Sequence, residues 1–257
     1  MELSFWEWVV KILDTYGSVF LRGALMTLFL AVAGTLAGFV IGLLIGVVRT
    51  VPLNHGNEKG SSLRSVLLRI VNGVLVAYIE IFRGTPMMVQ AIVLYYGLLE
   101  AFRIDLSAMA AGLLVISLNT GAYMAEIVRG GIQSVDKGQS EAAKAIGMSH
   151  WKSMTNIVLP QVIRNILPAC GNEFIINIKD SSVLNVISVT ELFFVSTFVK
   201  GVALRIYETY FITAVIYLVL TFTFTRLLAV LEKRLDGPSD FALAGASAGR
   251  SRKGGKR

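Results

Sequence analysis

Charged residues are scarce in this sequence of 257 residues, of which only 16% are Asp, Glu, Lys or Arg. Soluble globular domains carry about 25% charged residues, so this chain has too little polar surface to be one. Its 54% hydrophobic content and mean hydropathy of +0.67 also exclude a disordered chain and a coiled coil. The composition therefore predicts a polytopic membrane protein, and the long apolar runs described below make its predicted fold class all-α.

Cysteine and histidine are almost absent as well. Cys170 is the single cysteine, which excludes a disulfide framework within the chain and a CxxC metal site. His55 and His150 are too few for a histidine-rich centre, and we predict no metal site. The net charge of +7 is more typical of cytoplasmic loops on a membrane protein than of nucleic-acid binding, so no nucleic-acid partner is expected.

Long apolar runs occupy most of the chain. The run from Gly23 to Val48 has no charged residue and exceeds the roughly 20 residues that cross the hydrocarbon core. A later run, Asn165 to Val199, is long enough for one helix plus a re-entrant or extracellular helical piece. Five transmembrane spans are predicted, at Phe20 to Val48, Val66 to Leu99, Leu106 to Val128, Val158 to Ile178 and Tyr207 to Leu231.

The positions of Lys and Arg predict the orientation. Of the 24 basic residues, 17 fall in the loop from Arg49 to Arg69, in the loop after the third span and in the C-terminal tail. Only five fall on the opposite side, and two lie within the spans. Because basic loops stay in the cytoplasm, the N-terminus is predicted outside and the C-terminus inside.

The two ends of the chain are predicted to lie outside this membrane domain, which covers residues 20–235. Over residues 1–19, aromatic residues such as Trp6 and Trp8 recur at helical spacing, which predicts an interfacial helix rather than a cleavable signal. Residues 236–257 are rich in Gly, Ser and Ala and end in basic residues, which predicts a disordered cytoplasmic tail.

Four glycines in the first span follow one another at intervals of four residues: Gly34, Gly38, Gly42 and Gly46. Small residues at this spacing let a second helix approach closely. Packing within the bundle is the preferred interpretation, and an interface with another subunit is the alternative.

A polar segment at about residues 130–160 forms the cytoplasmic loop after the third span. Gly138 and Gly147 bracket a short helical stretch, Gln139 to Ile146, with a small apolar face. Glu141 lies in its first turn, where a carboxylate suits the helix dipole. A helix of two turns is marginal alone, so this one needs a partner to pack against.

This loop and three other segments resemble one known family. From Glu141 to Pro160 the chain matches E-A-A-x3-G-x9-I-x-L-P, the pattern of the membrane subunits of bacterial ABC importers. Residues 78–90 read YIEIFRGTPMMVQ, and residues 122–132 read AYMAEIVRGGI, as in the polar amino-acid branch. NEFI at 172–175, followed by KDSS at 179–182, is also typical. Asp136 departs from the pattern, where family members often have proline.

The resemblance implies a type I ABC importer permease fold in the bacterial cytoplasmic membrane. Two such subunits pair around a path, each docks a cytoplasmic ATPase subunit, and an external binding protein delivers a polar amino acid. The chain has no GxxxxGK[ST] phosphate loop, so we expect it to have no ATPase activity of its own and to bind no cofactor. The partner ATPase would use ATP and Mg. The residues of the coupling helix would be Gly138, Gln139, Glu141, Ala142, Ala143 and Gly147. From spacing alone, an ordinary solvated helix residue is the preferred interpretation of Glu141, and the family pattern favours a charged contact with the ATPase instead.

Polar residues in the second span are candidates for the substrate path. Glu80 and Arg83 lie three residues apart on one helix face, so a structural ion pair is the leading alternative. Gly84 and Pro86 are expected to break the helix there. Thr85 then lines the path or bonds only to its own backbone.

The remaining path candidates lie in the third and fourth spans. Asn172 and Glu173 would meet the ammonium group of an amino acid, and a packing network between helices is the equal alternative. Asn119 and Tyr123, four residues apart, are weaker candidates.

Three other functions compete with amino-acid import. An ion-driven secondary transporter normally shows internal repeats and more spans, and neither is found. A membrane-bound hydrolase would need a catalytic histidine, but both histidines lie in predicted cytoplasmic loops. An ABC importer for another small solute, such as a sugar or a metal, is the nearest alternative, and the 78–90 segment argues against it.

Overall fold

The computed structural model describes residues 3–50 and 63–235, and this part of the chain is helical with no strand. The tail from residue 236 and most of the loop between the first two spans lie outside the described residues. The helices are α1 (Phe5–Val48), α2 (Leu63–Gly84), α3 (Met87–Phe102), α4 (Ala108–Ser134), α5 (Lys137–Ala145), α6 (His150–Ser153), α7 (Leu159–Asp180), α8 (Leu192–Ala203) and α9 (Ile206–Leu235).

Among the described residues, four helices are long and apolar enough to cross a membrane: α1, α2, α4 and α9. The segment through α7 and α8 qualifies as a fifth span, bent by 56°. The all-α, membrane-spanning class and the number of spans agree with the prediction.

Helix α1 is longer than the sequence analysis predicted. Its 44 residues run without a break through position 19, where we expected an interfacial helix to end. The apolar face is continuous across this point, since Ile12 and Phe20 are both buried in one cluster with residues of α8 and α9. At 1.5 Å per residue α1 measures about 66 Å, roughly twice the hydrocarbon thickness. The interfacial position of residues 1–19 stays a prediction.

The start of α1 is set by a capping box. The Ser4 hydroxyl accepts a hydrogen bond from the Glu7 amide at 3.4 Å, and the Glu7 carboxylate accepts one from the Ser4 amide at 2.7 Å. These two bonds satisfy backbone donors that the first turn leaves free.

The four spaced glycines pack within the bundle, as preferred from the sequence. A side chain at Gly34, Gly38, Gly42 or Gly46 would meet, in turn, Ile116, Thr120, Met124 or Val128 of α4. Both series advance by four residues in the same direction, so α1 and α4 are parallel and in close backbone contact. This contact is the centre of the fold.

The second predicted span is interrupted where Gly84 and Pro86 indicated. α2 ends at Gly84, and α3 begins at Met87 after Pro86 in an extended conformation. Few residues of α2 are buried against the other helices. Ile79 is one of them, and it packs against Ile45 of α1 and Ala125 of α4.

The fourth predicted span continues past Ile178. α7 runs to Asp180, passes into a 3-10 helix (Ser181–Ile187) and is followed after a bend by α8. Leu192, Val195 and Val199 of α8 are buried against α1 and α9. Thus α8 belongs to the packed bundle.

Candidate functional site

The break between α2 and α3 is held by two amide side chains. The Gln90 amide nitrogen donates to the Phe82 carbonyl at 2.8 Å and to the carbonyl and hydroxyl of Thr85, both at 2.9 Å. Asn119 of α4 donates to the Gln90 side-chain oxygen at 2.9 Å and to the Phe82 carbonyl at 3.3 Å. Thr85 also donates to the Ile81 carbonyl at 2.7 Å, the backbone bond given above as its alternative role.

Arg83, just before the break, points toward α4. Its guanidinium lies 5.3 Å from the centre of the Tyr123 ring, and its charge interacts with the Glu173 carboxylate of α7. Cation–π contact of this kind favours a fixed guanidinium position. Two of the predicted path residues, Arg83 of α2 and Tyr123 of α4, are therefore in contact, and we call this pair the Arg83 cluster. Glu173 of α7 forms no ion pair with Arg83 among the described residues.

The structural ion pair considered for Glu80 and Arg83 is wrong. Arg83 is directed to Tyr123 on another helix, and Glu80 is exposed. The ion pairs found among the described residues are Arg49–Glu126, Arg129–Glu126 and Arg205–Glu208.

Asn172 is exposed, and Glu173 is partly buried. The polar network that joins the helices here uses Asn177 instead. Its amide donates to the hydroxyls of Thr35 at 2.8 Å and Thr120 at 3.0 Å, and so connects α7 to α1 and α4. Asn177 is not recognisable from the sequence, because it looks like any polar residue near the end of an apolar run.

A second missed residue is Glu191, which is fully buried. Its carboxylate accepts hydrogen bonds from the Phe194 amide at 2.8 Å, Tyr217 at 2.8 Å and Thr27 at 3.3 Å. Glu191 thereby caps α8 and connects it to α1 and α9. Its presence as a charge in an apolar run was the available signal, since such residues need partners inside the protein.

The short cytoplasmic helix predicted at Gln139 to Ile146 is present as α5. Asp136, the departure from the family pattern, caps it by accepting a hydrogen bond from the Gly138 amide at 2.8 Å. Gly147 has a φ of +80°, and its amide donates to the Lys144 carbonyl at 2.9 Å, which ends the helix as predicted.

The faces of α5 differ sharply in burial. Ala143 is 1% exposed, whereas Glu141, Ala142 and Gln139 are exposed. Behind α5 lies a cleft of about 670 Å³, lined by residues that include Gln133, Glu141, Lys144 and His150. Most of this helix is thus available to a partner.

Two arginines share one carboxylate at the end of the bundle near α5. Glu126 of α4 accepts hydrogen bonds from Arg49, at the end of α1, at 2.7 Å and from Arg129 at 2.8 Å. Arg129 also donates to Gln133 at 3.1 Å. These bonds tie the end of α1 to the helix that leads into α5.

The comparisons with known proteins agree with one another. The family model described as "Binding-protein-dependent transport system inner membrane component" matches residues 60–237. A glutamine transport system permease protein of Escherichia coli K12 is 38% identical over 216 residues, 84% of this chain and 92% of that protein. A nopaline transport system permease protein of Agrobacterium fabrum is 37% identical, over 80% of this chain and 86% of its own length.

Two solved structures extend the likeness to the fold. An amino acid ABC transporter crystallised with histidines is 37% identical, with a TM-score of 0.75, over 91% of this chain and 100% of the other. A methionine ABC transporter in an inward-facing conformation has a TM-score of 0.70 over 86% of this chain and 98% of the other. At 16% identity, the second match supports the fold alone.

Proposed function

The chain belongs to the family of inner membrane components of binding-protein-dependent transport systems, and we propose that it conducts a polar amino acid by alternating access while a separate ATPase docks on α5. It is a multi-pass membrane protein and a permease of the amino-acid ABC importer type. This assignment replaces the ion-driven transporter and the membrane-bound hydrolase considered from the sequence.

The Arg83 cluster is the observation that carries the proposed path. Arg83 of α2 and Glu173 of α7 are side chains of opposite formal charge, and Arg83 lies next to a helix break. A free amino acid carries a carboxylate and an ammonium group, which complement these two charges. Ionisable groups in a membrane span are costly unless they face protein, water or a ligand, which supports a role in substrate passage. Asn172 beside Glu173 remains part of the proposed path.

The shape of α5 supports its proposed role as the coupling helix. It presents Glu141, Ala142 and Gln139 outward and is held on the chain by the buried Ala143. We expect Glu141 to contact a basic group of the ATPase, and Gly138 and Gly147 to delimit the docking helix. ATP and Mg would be used by that partner.

The remaining proposed partners follow from the same family. A second membrane subunit, identical or not, would complete the path, and an extracytoplasmic binding protein would deliver the amino acid. The glutamine and nopaline relatives, each named for its own substrate, favour a polar amino acid or its derivative for this chain.

The experiment is uptake by proteoliposomes that contain this chain with its co-purified ATPase and binding protein. Glu173→Gln keeps the side-chain size and removes the charge, so transport should fall more for cationic than for neutral amino acids while assembly is unchanged. Glu100→Gln, an exposed carboxylate at the end of α3, is the matched control. If Glu173→Gln lowers the amount of folded complex and affects every substrate equally, the residue serves packing and the path assignment is wrong.

A further inference from the structure

The break in the second span leaves the Phe82 carbonyl without its normal partner. In a continuous helix the Phe82 carbonyl would accept the amide hydrogen of residue 86, four positions on. Residue 86 is proline and has no amide hydrogen. The Gln90 side chain donates to this carbonyl at 2.8 Å instead.

The Thr85 carbonyl is freed for a different reason. Its usual donor, the Val89 amide, bonds to the Pro86 carbonyl at 3.0 Å, and so does the Gln90 amide at 3.1 Å. The Gln90 side chain again supplies the missing donor, at 2.9 Å. One amide group thus serves two carbonyls on the opposite side of the break.

Gln90 is itself fixed by α4. Gln90 is only 7% exposed, and its side-chain oxygen accepts a hydrogen bond from Asn119 at 2.9 Å. Asn119 lies one helical turn before Tyr123, the ring on which Arg83 rests. The face of α4 that bonds to the broken segment through Asn119 is therefore also the face that contacts Arg83 through Tyr123. Arg83 directly follows Phe82 in the chain.

We propose that Gln90 is a positioning residue for transport, which supplies hydrogen-bond donors to the Phe82 and Thr85 carbonyls at the break and so fixes the broken span with Arg83 in its cluster. It acts through Phe82 and Arg83 and does not itself contact the amino acid. The proposal rests on the function proposed above, because it assigns the broken span to the substrate path.

The test compares Gln90→Ala, Pro86→Ala and the double variant, each assembled with the ATPase and binding protein. Gln90→Ala removes the side-chain donor to the Thr85 carbonyl and the shorter of the two side-chain bonds to the Phe82 carbonyl, so both the yield of folded complex and uptake should fall. Pro86→Ala restores an amide hydrogen that can bond to the Phe82 carbonyl. The double variant should therefore recover folded complex but still transport about tenfold or more slowly per complex than the parent chain, because small displacements of a binding group are costly.

A merely structural role predicts a different result. If Gln90 only satisfied carbonyls, the double variant would regain uptake together with folding, and that result would overturn the proposal. Gln161→Ala is the matched control, since this exposed glutamine donates to a carbonyl of the preceding turn, Ile157, at 2.8 Å. Its uptake should equal that of the parent chain.

Cross-linking gives a readout that does not depend on transport. Cysteines replacing Arg83 and Tyr123, with Cys170→Ser, should be joined by a short bifunctional thiol reagent when Gln90 is present. They should not be joined in the double variant, and equal cross-linking in both would overturn the proposal. A parent chain that imports no amino acid would contradict the proposed function, while the cross-linking would still decide the position of residue 83.

Discussion

Replacement of Gly42 by alanine tests the close approach of α1 and α4. A Cβ atom added at Gly42 would lie 2.7 Å from the amide nitrogen of Ala125 and 2.7 Å from the carbonyl carbon of Met124. Normal contacts between such atoms are about 3.5–4.0 Å, so the shortfall is roughly 1 Å. Because both atoms belong to the backbone, no side-chain rotation can relieve the clash and the helices must separate.

The expected magnitude follows from two opposing effects. Overpacking of a filled interior costs about 1–3 kcal/mol. Alanine is also favoured over glycine inside a helix by about 1 kcal/mol, which offsets part of this cost. Gly17 lies on the same helix with no atom near its added Cβ, so Gly17→Ala shows the propensity effect alone. The difference between the two variants should therefore be about 1–3 kcal/mol, with Gly42→Ala the less stable.

The assay is thermal unfolding of the purified complex in detergent, with the same lipid content for both variants. Equal melting temperatures for Gly42→Ala and Gly17→Ala would refute the close approach. Gly34 offers a second comparison, because the three atoms nearest to its added Cβ all belong to Ile116. Ile116→Ala should cost less in the Gly34→Ala background than alone, with a coupling of about 0.5–3 kcal/mol. No such rescue is expected at Gly42.

Three further predictions concern coupling, buried charge and ATP. Glu141→Ala should weaken binding of the ATPase by about 2–5 kcal/mol if the contact is buried at the interface. Co-purification of the ATPase and uptake should then both fall while membrane insertion stays normal, and unchanged uptake would contradict the coupling assignment. Glu191→Ala removes the acceptor of the Thr27 and Tyr217 hydroxyls and should lower the free energy of unfolding by about 1–3 kcal/mol. Melting temperatures measure this loss against the control Glu232→Ala at the far end of α9, and equal melting temperatures would contradict the network. The purified chain without partners should hydrolyse no ATP, and activity that survives removal of every partner would contradict this.

Much of the fold was predictable because membrane spans are set by local composition. The apolar runs located the spanning helices, and Gly84 with Pro86 located the break in the second span. α5 followed from the glycines that bracket it. Each of these features depends on the residues of one segment and on the need to satisfy backbone groups in lipid.

The contacts between helices were less predictable. Gln90, Asn177 and Glu191 are bound by residues of other helices, and a sequence does not state which helices meet. The same limit explains the Glu80–Arg83 error, since spacing permits that pair but Tyr123 of α4 provides the competing contact. The uninterrupted α1 was missed because charges near residue 20 resembled a boundary, while burial against α8 and α9 kept the helix intact.

The row of glycine contacts has a mechanical consequence. The register of α1 against α4 is fixed by four glycines of α1, each of which faces a side chain of α4: Gly34, Gly38, Gly42 and Gly46. A shift of one residue would bring larger side chains of α1 into contact with the backbone of α4. The two helices should therefore move together as one rigid body, and the ion pair between Arg49 and Glu126 also holds the end of α1 to α4. Any bending of the bundle must then occur outside the α1–α4 pair.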